Sequence, residues 1–533
     1  MKTFDTYLKE IGEVGYVQSI ISSIFYVSGL PTARLNELVI SENGLIGIVK
    51  AVLPELVEVM VFEGQSLGHN MRVVRTNEFF QVPVSEYFLG RVVDPFGVPQ
   101  DNLEPIRGIK TYWPVDPHAP GVNERIRISR PLETGVMAVD MQVPIGRGQR
   151  ELILGDQKTG KTTFALQAVV NAARLGIVCI YVSIGKKKSD LKFVQAFLQK
   201  AGVLKNVAVV AATSADPAPM VYLAPFSGLS IAEYFREKDR DVLVVLDDLT
   251  THAKFYREIS LLSRRPPGRQ SYPGDIFHLH ARLTERAGNI RNKNGREVSI
   301  TLLPVAETVE GDLAGYIQTN LMAMTDGHVF MDIAEAKRGR HPAVSFTLSV
   351  SRVGNQTRTP LEREIAARIT RQLTESRKAE ELGRFGVELT PQTQRAIKTY
   401  EKLEVILNQE TEEIYPKGLQ IIILGLFLGD FWENLTPHQI RDEKTRLAAV
   451  FAAGKLDSVR MLITKARNLK ELFGVISANL RLVGPKVVSQ VPVASGQNPV
   501  VNRQQVTGTQ GVASGPVANQ SQSQSGKPEG EQT

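Results

Sequence analysis

Short apolar runs rich in β-branched residues dominate the first part of the chain: Ile20–Val27, Leu45–Val52 and Val57–Phe62, separated by Gly-Leu-Pro, Glu-Asn-Gly and Gly-Gln-Ser-Leu-Gly turns. Runs of that length closed by such punctuation predict the strands of a small β-barrel or sandwich over residues 17–81. Ahead of it lies a short arm, residues 1–16, in which Phe4, Leu8 and Ile11 fall on one face of a helix over Phe4–Glu13. From residue 82 to 358 apolar strands alternate with helical stretches. The strands are Glu151–Leu154, Ile177–Ile184, Val207–Ala212, Val242–Leu246 and Ser299–Leu303, with a helix over Thr162–Leu175 between the first two. That alternation predicts a mostly parallel sheet covered on both faces. From 359 to 484 the strands give way to charged helix formers with helical apolar spacing, as in Leu361–Leu382, Gln392–Ile406 and Lys444–Phe451, which predicts a helical bundle. Residues 485–533 hold no aromatic residue and no Leu, Ile or Met, but much Gln, Ser and Gly. Such a segment buries too little apolar surface to offset its ordering entropy, so a disordered tail is expected.

Composition narrows the class. With 533 residues, 42% hydrophobic and 22% charged, the chain has an ordinary globular balance and room for roughly two to four domains. No uncharged apolar run reaches the roughly 18 residues of a membrane span, and the longest candidate, Leu419–Phe431, reads as a buried helix. Lys9, Glu10 and Glu13 stand where a secretory signal needs an apolar core, so a cytoplasmic protein is expected. The single cysteine, Cys179, sits in an apolar run and is expected as a buried strand residue, not a nucleophile. The net charge of +7 permits nucleic-acid binding, but the basic residues are interleaved with 56 acids, and the densest run, Lys186–Lys188, reads as a solvated loop face.

One motif changes this picture. Gly155-Asp156-Gln157-Lys158-Thr159-Gly160-Lys161-Thr162 fits the P-loop pattern, and it follows a predicted strand and opens a predicted helix, the setting that pattern requires. The glycines let successive N–H groups turn toward phosphate oxygens, and the helix N-terminus adds partial positive charge. Lys161 would reach the β and γ phosphates, and the Thr162 hydroxyl would face Mg²⁺. A second acidic group is needed for the metal's water shell, and Asp247, at the end of Val242–Leu246, supplies it; an ordinary helix-capping Asp247-Asp248 pair is the blander alternative. Hydrolysis also needs a carboxylate to activate water, usually on a neighbouring strand end. The strand Ile177–Ile184 ends instead in Gly185-Lys186-Lys187-Lys188, and no acid follows until Asp190.

The segment Pro144–Thr162 closely resembles the P-loop segment of the F-type ATP synthase alpha subunit, within the RecA-like rotary ATPase alpha/beta family. Arg264–Gly268, Tyr272–Asp275, Leu279–Arg286, Gly311–Asn320 and Ser349–Gly354 resemble the same family in the same order, and the likeness spans roughly Val17 to Leu482. The resemblance implies a multidomain α/β chain with a β-barrel crown, a RecA-like nucleotide domain over 82–358 and a helical domain around a rotating shaft. It implies ATP or ADP with Mg²⁺ as ligands. The implied partners are three beta subunits alternating with three alpha subunits, a gamma shaft, a delta or peripheral stalk and, indirectly, a membrane sector. Such a chain is peripheral on the cytoplasmic face of the membrane that carries the complex, and no nucleic-acid partner is expected.

The resemblance also assigns roles. In alpha subunits the strand end at Lys186 usually carries a glutamine and in catalytic beta subunits a glutamate; here it is a cation, so this P-loop is expected to bind without turning over. From spacing alone Arg352 is an arginine ending a strand. The resemblance makes it an arginine finger lent to the beta site, with Ser349 supporting that interface. Gln409 is carried over as a nucleotide-binding residue, but its partner glutamine two positions on is Thr411, and the phenylalanine and arginine usual before Pro342 are Ala336 and His341. The arm is shorter than the family's stalk-attachment segment, and the Gln/Ser tail has no counterpart. Two other readings remain open: an alpha-like subunit of a divergent rotary ATPase with another task, and a RecA-like hexameric nucleic-acid translocase.

Overall fold

The computed structural model describes residues 2–62, 68–384 and 390–485. The tail expected over 485–533 therefore lies, beyond Pro485, outside the described residues.

Six antiparallel strands, β1 (Val14–Ile21), β2 (Ile24–Ser28), β3 (Glu37–Ser41), β4 (Ile46–Val52), β5 (Val57–Val61) and β6 (Arg72–Phe79), close a barrel in the order β1-β2-β5-β4-β3-β6. Pairing of β6 back onto β1 decides for a barrel over a sandwich. The run Ile20–Val27 is two strands, not one. The polar pair Ser22-Ser23 turns the chain, with Ser22 at φ 55°, so that Ile21 faces Ile24 and Ile20 faces Phe25 across a hairpin. Helix α1 (Phe4–Ile11) ends at Gly12 and lays Phe4 and Tyr7 against Ile40 and Val74 of the barrel.

The central sheet contains β7 (Val92–Val93), β8 (Glu151–Gly155), β9 (Val178–Lys186), β10 (Val207–Thr213), β11 (Val242–Asp247), β12 (Gly288–Arg291), β13 (Glu297–Glu307), β14 (Gly327–Met331) and β15 (Val350–Ser351). Their order is β15-β14-β8-β13-β11-β9-β10-β7, parallel except for β15, and β12 pairs antiparallel with β13. Successive strand residues point to opposite faces. Ile180, Val182, Val244 and Leu246 join a core with α3 (Ala218–Glu237), while Cys179, Tyr181, Leu243 and Val245 join another with α2 (Lys161–Arg174). Burial on both sides explains why these strands read as continuous apolar runs. Cys179 is fully buried, as its surroundings in the sequence suggest.

Beyond the sheet the chain is helical: α5 (Pro360–Arg384), α6 (Pro391–Leu407), α7 (Lys417–Leu428), α8 (Pro437–Ala452) and α9 (Leu469–Ala478), with α4 (Leu249–Leu262) preceding them in the nucleotide domain. Thr390 and Thr436 accept backbone N–H bonds at the starts of α6 and α8, and each is followed by proline, whose fixed φ suits the first helical position. In α7 every residue from Leu419 to Leu428 is buried, and Gly429 ends it before the expected Phe431. Among the described residues no helix is long and apolar enough to cross a membrane.

Candidate nucleotide site

The strand-to-helix turn after β8 has the form that the P-loop pattern requires. Gly155 must lack a side chain, because a Cβ there would lie 2.5 Å from the Met331 carbonyl oxygen. Gly160 holds φ 96° at the start of α2, a left-handed conformation that favours glycine, so the following N–H groups face the loop. Lys161 is buried and donates to the Asp156 carbonyl at 2.7 Å, and the Thr159 hydroxyl donates to the same oxygen at 2.8 Å. Burial lowers the Lys161 pKa, opposed by the charges of Glu307, Asp248 and Asp247; a phosphate arriving here would meet a poorly solvated cation. The Asp156 side chain faces away, accepting from Thr308 Oγ1 at 2.5 Å and Gly311 N at 2.9 Å, so it braces the loop. Gln157 reaches Glu307 at 3.4 Å, and Lys158 is exposed with φ 64°.

The acidic half of the site comes from the end of β11. Thr162 Oγ1 donates to Asp247 Oδ2 at 2.9 Å, and the buried Tyr181 hydroxyl donates to the same oxygen at 2.7 Å. Asp247 Oδ1 has no aligned hydrogen-bond donor, although the Lys186 ammonium lies 3.0 Å away. A buried carboxylate oxygen without a donor, on the residue that meets the Thr162 hydroxyl, fits the water shell of a Mg²⁺ ion. Asp248 does two things: Oδ1 accepts from Thr251 N at 2.6 Å and caps α4, while Oδ2 pairs with Lys186 at 2.6 Å. The helix-capping reading of the Asp pair therefore falls to Asp248, and Asp247 is the member that meets the Thr162 hydroxyl. Burial alone would lower the Lys186 pKa, but Asp247 and Asp248 outweigh it and raise it, so Lys186 is a cation at neutral pH.

Beside the loop a cavity of about 200 Å³ is lined by Lys158, Thr163, Gln167, Ala336, His341 and Thr411, among others. Gln409 also lines it, but its amide is occupied by the chain: Oε1 accepts from Met137 N at 2.5 Å, and Nε2 donates to Gly135 O and Glu413 O at 3.0 and 3.1 Å. With both donors and its acceptor engaged, Gln409 shapes the cavity wall.

Arg352 lies elsewhere. Residue Ser351 pairs with Gly327, which sits opposite Glu151, at the start of β8. The P-loop begins four strand residues later, about 13 Å along the sheet. Arg352 is exposed, and among the described residues its guanidinium makes no hydrogen bond or ion pair. Its backbone is clamped: Arg352 N donates to Asp326 O, Ser351 Oγ donates to Pro144 O at 2.6 Å and accepts from Gly354 N at 3.1 Å. The Ser349 hydroxyl donates to Ser345 O at 2.6 Å and accepts from Phe330 N at 2.9 Å, so it fixes the approach to the strand. The Arg352 backbone is thus fixed at its base while its exposed side chain carries a charge felt by Glu151 and His328.

Residues 135–351 match the ATP synthase alpha/beta family, nucleotide-binding domain. The chain is 38% identical over 472 residues to ATP synthase subunit alpha of Dictyoglomus thermophilum, covering 88% of this chain and 92% of that protein. The chain belongs to the ATP synthase subunit alpha family. ATP synthase subunits alpha of Neorickettsia sennetsu and Dictyoglomus turgidum, each 38% identical, cover 79% and 83% of this chain and 84% and 87% of their own lengths. Membership in the ATP synthase alpha family makes this chain a nucleotide-binding part of an ATPase complex, with ATP synthesis and ion transport as that complex's work.

Against that family background, three contributors were missed in the sequence. Tyr181 lies inside an apolar strand, and nothing in its neighbourhood marks it as a partner of Asp247. Ser351 and Gly354 stand inside the Ser349–Gly354 motif, which is the signal that could have identified the clamp under Arg352.

Proposed function

We propose that this chain is the regulatory, nucleotide-binding alpha subunit of a proton- or sodium-translocating rotary ATPase, alternating with three catalytic beta subunits around a gamma shaft. It holds ATP or ADP at its own P-loop and lends Arg352 to the neighbouring beta site. The observation that carries this reading is Lys186. Where water activation needs a carboxylate, an ammonium lies 3.0 and 2.6 Å from Asp247 and Asp248. A cation there attracts phosphate and cannot take a proton from water.

The residues divide the work. The backbone of Gly155–Gly160 and the N-terminus of α2 receive phosphate oxygens, with Lys161 leaving the Asp156 carbonyl for them. Thr162 and Asp247 would hold Mg²⁺, which when bound neutralises phosphate charge. Arg352 supports the same assignment by its exposure and its distance from the P-loop: its planar guanidinium suits the charge that develops on a transferring phosphoryl group in another subunit. The delta or peripheral stalk, and through it the membrane sector, complete the complex, which lies on the cytoplasmic face of its membrane.

The test separates the two sites in one assembled ring. Lys161→Gln in this chain should abolish nucleotide retention at its P-loop and leave steady-state ATP turnover within about threefold, since an uninvolved site contributes nothing to the barrier. A fall of a thousandfold or so, the scale of a lost catalytic phosphate contact, would overturn the assignment of catalysis to the partner.

A further inference from the structure

The lysine run that looks like a solvated loop face is not uniform. Lys187 and Lys188 are exposed, whereas the Lys186 side chain is 23% exposed and buries its ammonium between two carboxylates that are 3% and 1% exposed. One of those carboxylates is the residue that meets the Thr162 hydroxyl, at 2.9 Å through its other oxygen. The Lys186 charge lowers the Lys161 pKa, against the opposing charges of Glu307, Asp248 and Asp247. The ammonium thus lies within the phosphate and metal half of the pocket.

Charge counting gives this placement a consequence. Lys161 and Lys186 stand against Asp247, Asp248 and Glu307, which leaves the cluster one unit negative. A neutral amide at 186 would leave it two units negative, and a nucleoside di- or triphosphate would then depend on a divalent cation to enter it. We infer that Lys186 is a built-in counter-ion, which lets this P-loop bind nucleoside polyphosphate free of Mg²⁺. The inference rests on the nucleotide-binding reading proposed above and refines it: the metal fits beside Thr162 and Asp247 but is not required there. Because the Lys186 ammonium already lies 3.0 Å from Asp247 Oδ1, added Mg²⁺ brings a small gain in affinity.

Titration calorimetry of the full-length chain with ATP, in EDTA and in excess Mg²⁺, tests this. The wild-type chain should bind ATP within about tenfold under the two conditions, while Lys186→Gln should bind comparably in Mg²⁺ but about 10- to 100-fold more weakly in EDTA, the scale of one charge-assisted phosphate contact. Binding in Mg²⁺ shows that the variant is folded. Lys186→Arg, which keeps the charge, should stay close to wild type in EDTA, and Lys187→Gln should behave as wild type throughout. An equal Mg²⁺ dependence in wild type and Lys186→Gln overturns the inference while leaving the nucleotide site standing. No ATP binding by the wild-type chain in either condition overturns the site itself and the inference with it.

Discussion

Replacing Glu233 by Gln removes one charge from the most deeply buried ion pair among the described residues and little else. The Arg286 guanidinium, with no exposure, donates Nε to Glu233 Oε1 and Nη2 to Oε2, both at 2.8 Å, and also reaches Val115 O at 2.8 Å and Ser230 Oγ at 2.9 Å. This network ties the segment at Val115 to α3 and explains the arginine that ends Leu279–Arg286. At 2.8 Å and an effective dielectric constant of about 20, the Coulomb attraction is about 6 kcal/mol. The Gln variant keeps one accepted bond, sets an N–H against Nη2 and leaves the guanidinium buried without its counter-charge, so a net loss of about 3–5 kcal/mol is expected. Trp113, whose indole N–H donates to Glu233 at 3.2 Å, reports the local transition by fluorescence in urea. The double variant Glu233→Leu/Arg286→Met should recover most of the loss, because two well-packed apolar groups carry no unpaired charge. A cost below about 1 kcal/mol for Glu233→Gln, the level of an exposed salt bridge, would refute the reasoning.

Two further predictions concern the nucleotide domain and the Arg352 clamp. Burial pushes His252 down to about 4 from an ordinary 6.5, so between those values the unfolded chain takes up a proton that the folded chain refuses. His252 should cost nothing above pH 6.5 and contribute a loss of about 3 kcal/mol as pH drops to 4, in addition to that from its buried neighbour His280, which is held low in the same way; urea titrations should show a shallower loss in His252→Gln, and an equal loss would contradict the assignment. At Gly354 a Cβ would lie 1.6 Å from the Pro144 carbonyl oxygen, so Gly354→Ala must displace the segment that carries Arg352. Turnover of the assembled ring should fall by about 100-fold with nucleotide retention at this chain's P-loop unchanged, and loss of both together would argue for a general folding defect.

The fold was largely legible because its signals are local. Buried parallel strands such as Val242–Leu246 announce themselves as uninterrupted apolar runs, and the barrel's turns carry glycine, proline and asparagine. The Ser22-Ser23 hairpin escaped because two serines between apolar flanks are weak punctuation, and β14 and β15 are too short or too mixed to stand out. At the site, the strand, loop and helix around Gly155–Thr162 could be read from one motif. What could not be read was side-chain direction. Nothing in the sequence says that Asp156 turns away from the cradle, that Gln409 spends its amide on Gly135, Met137 and Glu413, or that Lys186 leaves the lysine run to sit between two aspartates. Those facts depend on contacts between residues distant in sequence, which periodicity does not encode.

The central claim is that this chain acts on chemistry in a neighbour's pocket through Arg352. Steady-state ATP turnover by the assembled ring carrying Arg352→Ala tests it most directly. The account predicts a fall of about a thousandfold or more, with Arg352→Lys failing to restore it, since an ammonium lacks the planar fork. Near-normal turnover with Arg352→Ala would contradict it.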